Sequence, residues 1–339
     1  MIERRKIPEG SFLVSPSPHA HAPGSIRTIM LDVLIALFPA TVASIVFFGM
    51  DALILIVVCV ASSLFFEAIS RKIMNRPQSI GDLSAVVTGL LLAFNLPPDL
   101  PIWMAVVGSA FAIVVCKQLF GGLGYNPFNP ALAARAFLLV SFTGAMTTWS
   151  QSSWYQQVDA VTTATPLGLV KETFKNGGAI PFDMDLPMIW RFAIGDINGC
   201  IGETSAIALL LGGLYLIFRR VISWHIPATY IGTVALYAAI LRFALPDSSM
   251  PVSFHLLSGG LFLGAFFMAT DMVTTPSTRK GKLIFGVCCG ILTMVIRTVT
   301  SGDYPEGVSF SILIMNAFVP LINRATRVKP FGGAYARAS

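Results

Sequence analysis

The sequence predicts an all-α polytopic membrane protein of about ten transmembrane helices. Three observations carry this. The 339 residues are 55% hydrophobic and only 12% charged, against about 25% charged in a soluble domain. The mean hydropathy is +0.74. Apolar runs recur from one end of the chain to the other, without the alternating segments of about 10 residues that mark a membrane barrel. Backbone groups in hydrocarbon must be bonded within the protein, so these runs are read as helices.

The runs, in order, are approximately 26–48, 52–70, 80–96, 101–120, 129–145, 199–218, 225–245, 253–271, 281–300 and 307–323. The third and fifth are short and interrupted by Gly, Pro or Asn, which predicts broken or tilted helices. The segment 8–23 that precedes the first run is polar and proline-rich, without the apolar centre of a signal peptide, so the first run is expected to be a retained span. This divides the chain into an N-terminal arm (1–25), five spans (26–145), a long polar loop (146–198), five more spans (199–323) and a tail (324–339).

Sidedness follows from the basic residues. With the N-terminus inside, the inner connections receive Arg4, Arg5, Lys6 and Arg27; Arg71, Lys72 and Arg76; Lys117; Arg219 and Arg220; Arg279, Lys280 and Lys282; and Arg324, Arg327, Lys329 and Arg337. The opposite orientation violates the positive-inside rule. Both termini are therefore expected in the cytoplasm, with the 146–198 loop outside. The net charge of +6 is a matter of membrane sidedness, and no nucleic-acid partner is implied. The surrounding partner is lipid.

Two short matches suggest a repeat. Gly89-Leu-Leu-Leu-Ala-Phe-Asn95 is echoed by Gly264-Ala-Phe-Phe-Met-Ala-Thr270, and Gly122-Leu-Gly-Tyr125 by Ser301-Gly-Asp-Tyr304. Five spans per half make the two repeats inverted, an arrangement of transporters in which sites lie near the repeat interface.

The five cysteines, Cys59, Cys116, Cys200, Cys288 and Cys289, form no CxxC pair, and no metal centre is expected. The acids near spans are Asp32, Glu67, Asp82, Asp99, Glu203 and Asp271. Charge in hydrocarbon is costly, so each is a functional suspect. Glu203 and Asp271 are read at matching depths in the second half and are the candidates for an ion pathway. Arg135, Arg242 and Arg297 are candidates for pairing with buried groups. His19 and His21 in the N-terminal arm make a weak metal site, and docking to a partner subunit is the preferred role for that arm.

The loop holds Asp159-Ala-Val-Thr162-Thr163-Ala164-Thr165-Pro166. Thr followed by Pro reads as an N-cap and first residue of a short helix over Leu167 to Phe174. A helix N-terminus presents free N–H groups and a positive dipole end that suit a phosphate, with Lys171 and Lys175 close by. Thr165 is therefore either a cap alone or a phosphate site. Asn126-Pro-Phe-Asn129-Pro130 also stands out, since two prolines and two amides beside a span make either a capped turn or a cavity wall.

These segments carry a resemblance. Asp-x-x-Thr-x-Ala-Thr resembles a flavinylation signature, and the Ser17-Pro-His19 opening, the Asn126–Ala131 segment and Thr270-Asp271 extend the likeness over nearly the whole chain. It is similar to the RnfD/NqrB family, whose members belong to Rnf electron-transport complexes and to sodium-translocating NADH:quinone oxidoreductases, and it is most like the Rnf members. Thr163 stands where the family's signature has glycine. The resemblance implies FMN joined through its phosphate to Thr165 by a flavin transferase, with Asp159, Thr162, Thr163 and Ala164 forming the recognised segment. It also implies a second, non-covalent flavin (riboflavin or another) held by Asn126 and Asn129, and an electron-carrying subunit that works with other Rnf-type subunits, coupled to Na⁺ or H⁺ movement. No dinucleotide fingerprint is present, so the chain is not a dehydrogenase by itself. The rival reading is a solute or ion channel or transporter without a redox cofactor.

Overall fold

A computed structural model describes residues 25–149, 165–175, 184–203, 205–246, 249–298 and 307–327. Every regular element among them is helical. The first, α1 (Ile26–Ile73), starts where Ser25 Oγ accepts a hydrogen bond from Thr28 N at 3.2 Å. It is interrupted at Gly49 (φ 67°, ψ −142°), a left-handed conformation that glycine adopts without steric cost. The predicted spans 26–48 and 52–70 are thus two helices separated by almost no loop.

Next come α2 (Ser84–Phe94), α3 (Ile102–Ala110), α4 (Pro130–Ser141) and α5 (Thr143–Met146). α3 runs on into a π-helical segment, Phe111–Gln118. The polar loop contributes α6 (Pro166–Lys175) and α7 (Leu186–Ile194). The remaining helices are α8 (Ala206–Phe218), α9 (His225–Ala244), α10 (Val252–Leu257), α11 (Leu261–Leu263), α12 (Arg279–Thr298) and α13 (Val308–Ala325). α11 also passes into a π-helical segment, Gly264–Met268. Four helices, α1, α9, α12 and α13, are long and apolar enough to cross a membrane unaided. α2, α4 and α8 are apolar but shorter.

Two predicted spans are redrawn. The run 199–218 becomes a 3₁₀ turn at Ile201–Glu203, then α8, which is capped by Ser205 Oγ accepting from Ala208 N at 3.2 Å. The run 253–271 becomes α10 and α11, separated at Ser258–Gly260, where Gly259 has φ +68°. Hydropathy sees neither break, because the residues on both sides are apolar.

Contact between helices is made by glycine. A Cβ at Gly212 of α8 would lie 2.0 Å from Ala36 O of α1, and one at Gly89 of α2 would lie 2.7 Å from Cys59 O. A Cβ at Gly286 of α12 would lie 2.0 Å from Thr229 Oγ1 of α9. Lipid tails are as apolar as leucine, so membrane helices are held by close packing at small residues. The matching segments Gly89–Asn95 and Gly264–Thr270 meet inside this packing, with Asn95 Nδ2 3.7 Å from Met268 Sδ. Ser301–Tyr304 of the other match lies outside the described residues.

The path of the chain gives the bundle two ends. α3 runs toward Gln118, α4 runs back from Asn129, and α6 and α7 follow α4. Lys117 and Asn129 therefore lie at one end and α6 and α7 at the other. At the α6 end a separate apolar cluster forms from Leu167, Val170, Phe192, Met250 and Phe254.

A test of the packing compares two glycines. Gly212→Val is expected to abolish the monodisperse protein in detergent, because nothing at Ala36 O can yield. A Cβ added at Gly232 of α9 would meet nothing within 4 Å, so Gly232→Ala is expected to be neutral or stabilising by up to about 1 kcal/mol. Size-exclusion profiles and thermal unfolding in the same detergent compare the two.

Candidate functional site

Thr165 is where the sequence places it, at the start of a helix. Its Oγ1 accepts from Gly168 N at 3.1 Å, and its carbonyl accepts from Leu169 N at 2.9 Å. Pro166 supplies the first helical residue and no N–H. The residue is 8% exposed, because Leu167 and Val170 carry the helix onto the apolar cluster beneath. As an acceptor the hydroxyl uses one lone pair, and its own proton stays available. The N–H groups and dipole of a ten-residue helix converge there. Asp159, Thr162, Thr163 and Ala164 lie outside the described residues.

The other candidate region is a cavity at the opposite end. It is partly open to solvent. Its polar lining is Ser84, Thr88, Lys117, Asn126, Asn129 and Asp271, against apolar walls that include Phe266 and Phe267. Asn126 and Asn129 are thus brought together as expected, and Asp271 joins them. Asn129 caps α4, its Oδ1 accepting from Ala131 N (3.1 Å) and Leu132 N (3.4 Å), while its Nδ2 donates to Met268 O at 3.3 Å. Asn126 Nδ2 donates to Phe128 O at 3.0 Å. Thr274 Oγ1 donates to Asp271 Oδ2 at 3.0 Å. Asn129 is both cap and cavity wall and Asn126 belongs to the turn and the same wall, so the alternatives open in the sequence coexist.

Lys117 and Asn316 were not singled out by sequence as site residues. Lys117 Nζ donates to Glu67 Oε2 at 2.6 Å and to Ser84 Oγ at 2.7 Å, with lysine and glutamate both fully buried. Ser79 Oγ also bonds Glu67, and Arg71 stands 3.8 Å away. The sequence shows a lysine and a glutamate each inside an apolar run, without showing that they are partners. With its amide oriented to suit its neighbours, Asn316 accepts from Asn129 N at 3.2 Å and donates to Thr274 O at 3.1 Å. No periodicity marks such a residue.

Glu203 and Asp271 do not share a site. Asp271 lines the cavity, whereas Glu203 lies deeper, 3.5 Å from Arg135. Arg135 donates to Asn95 Oδ1 at 2.8 Å. Arg297 donates to the carbonyls of His255 (2.6 Å) and Ser258 (3.0 Å). Arg242 sits at the end of α9, bonding Pro246 O and Ser249 O. No cluster of three or more metal-ligating residues occurs among the described residues.

A helical multi-pass membrane protein with an anion-suited helix start at one end and a polar-lined cavity at the other is the class that these features define. The chain belongs to the NQR2, RnfD, RnfE family, whose profile matches residues 13–332. It is 48% identical over 326 residues, 96% of either chain, to the D subunit of the Na(+)-translocating ferredoxin:NAD(+) oxidoreductase complex of Acetobacterium woodii. It is 47% identical over 340 residues to the D subunit of the proton-translocating ferredoxin:NAD(+) oxidoreductase complex of Clostridium ljungdahlii, covering 96% of this chain and 98% of the relative. The D subunit of an ion-translocating oxidoreductase complex of Sodalis glossinidius is 38% identical over 354 residues, 95% of this chain and 99% of the relative.

The Lys117–Glu67 pair offers a direct test. Lys117→Met leaves a buried carboxylate with Arg71 as its remaining cation and is expected to cost about 3 kcal/mol or more. The double variant Lys117→Met/Glu67→Leu should recover most of that loss. Thermal unfolding in detergent reads both.

Proposed function

We propose that this chain is the membrane flavoprotein subunit of an Rnf-type complex, carrying FMN esterified to Thr165 and a second flavin in the Asn126/Asn129 cavity. That the relatives are subunits of ion-translocating oxidoreductase complexes supports an electron-transport role within a multi-subunit assembly. The observation that carries the flavin reading is the position of Thr165 Oγ1, a hydroxyl at the N-terminus of a docked helix. In the product of attachment, the phosphate oxygens would face the N–H group of Leu167 and the positive end of the α6 dipole. The Thr165 oxygen would attack the flavin phosphate of a dinucleotide donor, the new P–O bond replacing the phosphoanhydride bond that breaks, and the nucleoside monophosphate would leave as the hydroxyl gives up its proton. The reaction needs a flavin donor and the transferase, which are partners in maturation.

The cavity, with apolar walls and a few placed polar groups, has the make-up of a small-molecule site. Asn126, Asn129 and Lys117 offer hydrogen bonds to a ring edge, and the Phe266 and Phe267 side chains offer apolar contact. Bound flavin would supply one- and two-electron redox chemistry, while the protein fixes its position and electrostatics. The basic residues Arg219, Arg220, Arg279, Lys280, Lys282 and Arg324 lie at or within a turn of helix ends at the cavity end. By the positive-inside rule that end faces the cytoplasm and Thr165 faces outward, in the bacterial inner membrane. The two sites then stand on opposite faces of a two-fold inverted arrangement of five-helix halves, and electrons cross between them coupled to Na⁺ or H⁺ movement.

The chain co-produced with the flavin transferase should give a fluorescent band on a denaturing gel under ultraviolet light, and Thr165→Val should be dark. A dark wild-type band, or a fluorescent Thr165→Val band, defeats the covalent reading. For the cavity, mild extraction of the native complex should release non-covalent flavin, with Asn126→Ala releasing at least several-fold less while keeping its covalent band. Equal release from the two proteins removes Asn126 from the site.

A further inference from the structure

The exposed apolar faces of α8, α9 and α12 each end in a basic residue or a tryptophan, all at the cavity end of the bundle. On α8 the exposed residues Leu211, Leu214 and Phe218 recur at helical spacing, and Arg219 and Arg220 follow at once. On α9 Leu236 and Ile240 lie on the face that leads back to exposed Trp224, which directly precedes the helix. On α12 Ile284, Val287 and Ile291 lead back to Lys280. Apolar faces of this kind are met by lipid tails in a membrane. α9 and α12 have 20 residues each and so span about 30 Å, the thickness of the hydrocarbon layer. Trp224, Arg279 and Lys280 therefore stand at its boundary, at the level of the headgroups. The ends also meet: Lys282 Nζ donates to Ser223 Oγ at 3.3 Å, which ties the start of α12 to the turn between α8 and α9.

Charge at this meeting point is nearly all of one sign. Arg219 is paired, its NH2 group 3.2 Å from Asp32 Oδ2. Arg220, Arg279, Lys280 and Lys282 have no carboxylate partner among the described residues. Arg220 is also a poor choice for its backbone. Its N–H donates to Ile217 O and that of Val221 to Leu216 O, both at 3.0 Å, the pattern of a helix closed by a left-handed residue, which is usually glycine. Arg220 adopts that conformation, with φ 58°, at a steric cost that glycine does not carry. Helix closure therefore does not account for an arginine here, and the residue is exposed. It extends from the end of a lipid-facing stripe to the level at which phosphates lie.

We propose that Arg220, Trp224, Arg279, Lys280 and Lys282 form a binding surface for the headgroup of an acidic phospholipid, whose acyl chains lie on the apolar faces above it. Lysine and arginine at this level attract anionic lipid, and tryptophan is suited to the boundary between tails and headgroups. One occupant then meets both features of the surface: the phosphate faces the unpaired cations, and the tails cover the apolar stripes. A free phosphate meets only the first. The surface requires that α9 and α12 cross the membrane, and it stands or falls independently of flavin at Thr165 or in the cavity.

The test is thermal unfolding of the full chain in a neutral detergent, titrated with lipid. Phosphatidylglycerol should raise the midpoint by several degrees, as a ligand of the folded state does. Phosphatidylcholine at the same mole fraction, and inorganic phosphate at the same concentration, should not. Arg279→Gln/Lys280→Gln changes two exposed side chains and should weaken phosphatidylglycerol by about fivefold for each charge removed. Arg220→Gly should be at least as stable as wild type without lipid, yet bind phosphatidylglycerol about fivefold more weakly, a combination that a purely structural arginine does not give. Equal shifts from the two lipids, a full shift from phosphate alone, or a full shift in Arg279→Gln/Lys280→Gln overturns the proposal. Arg220→Gly that is less stable without lipid, or that binds as tightly as wild type, overturns the role of Arg220. In the assembled complex stripped of lipid, protection of Lys280 from an amine-reactive label gives the surface to a neighbouring subunit and overturns the lipid site. Labelling that phosphatidylglycerol suppresses and phosphatidylcholine does not supports it.

Discussion

The constraint on which the structure depends is that no backbone polar group in hydrocarbon can be left to water. An unbonded N–H or C=O there costs several kcal/mol. Regular helices solve the problem locally, but this chain interrupts its helices at Asn95 and again at Ser258–Gly260. Each interruption is repaired by a named partner. Ile201 N donates to Leu96 O at 3.0 Å, and Cys200 Sγ lies 3.4 Å from Asn95 O. Arg297 donates to two carbonyls at the second break. Asn129 does the same for Met268 O at the end of the π-helical segment. The polar residues inside the bundle are thus placed first by backbone need, and their chemistry is available only because that need holds them still.

Breaking the helices also brings distant parts of the sequence together. Phe94 of α2 packs on Gly202, where a Cβ would stand 2.3 Å away, so the turn before α8 lies under the end of α2. The π-helical segments share a consequence: one carries Lys117 and the other Phe266 and Phe267, and all three line the cavity. A π-helical turn rotates the side chains after it relative to an α-helix, and such turns recur at functional sites. Here they aim a cation and two aromatic rings into the same space.

Much of the fold was legible in the sequence because hydropathy and positive charge act over whole segments. The starts of α1, α4, α9 and α13 fall within a residue or two of the runs read from composition, and Asn129 and Thr165 cap helices as their proline-following patterns require. What was not legible depends on partners far away in sequence. Glu67 and Lys117 are 50 residues apart, and nothing local says that one compensates the other. Asn316 reaches Asn129 and Thr274 from the last helix, with no motif around it. Glu203 and Asp271 looked equivalent by depth along the sequence, but the 3₁₀ turn carries Glu203 inward to Arg135 while Asp271 stays in the cavity wall. Depth read along a chain fails wherever the chain turns back before crossing.

The buried charges raise a question that stability alone does not answer. Replacing a buried ion pair by apolar residues of similar size is often neutral or stabilising, whereas removing one partner is costly. Lys117–Glu67 and Arg135–Glu203 therefore gain the protein little net stability over leucine and methionine at the same places. Hydrophobic packing cannot substitute for them in one respect, which is the field that they project. Lys117 presents its ammonium to the cavity while Glu67 stays behind it, outside the lining, so the pair acts there as a fixed dipole with its positive end inward. At the second pair Arg135 stands 3.5 Å from Glu203, both buried in the interior. In a low-dielectric interior such oriented charge acts over several ångströms with little screening. The cavity wall thus presents a fixed ammonium and the Asp271 carboxylate, oriented charges of opposite sign that a neutral core would lack.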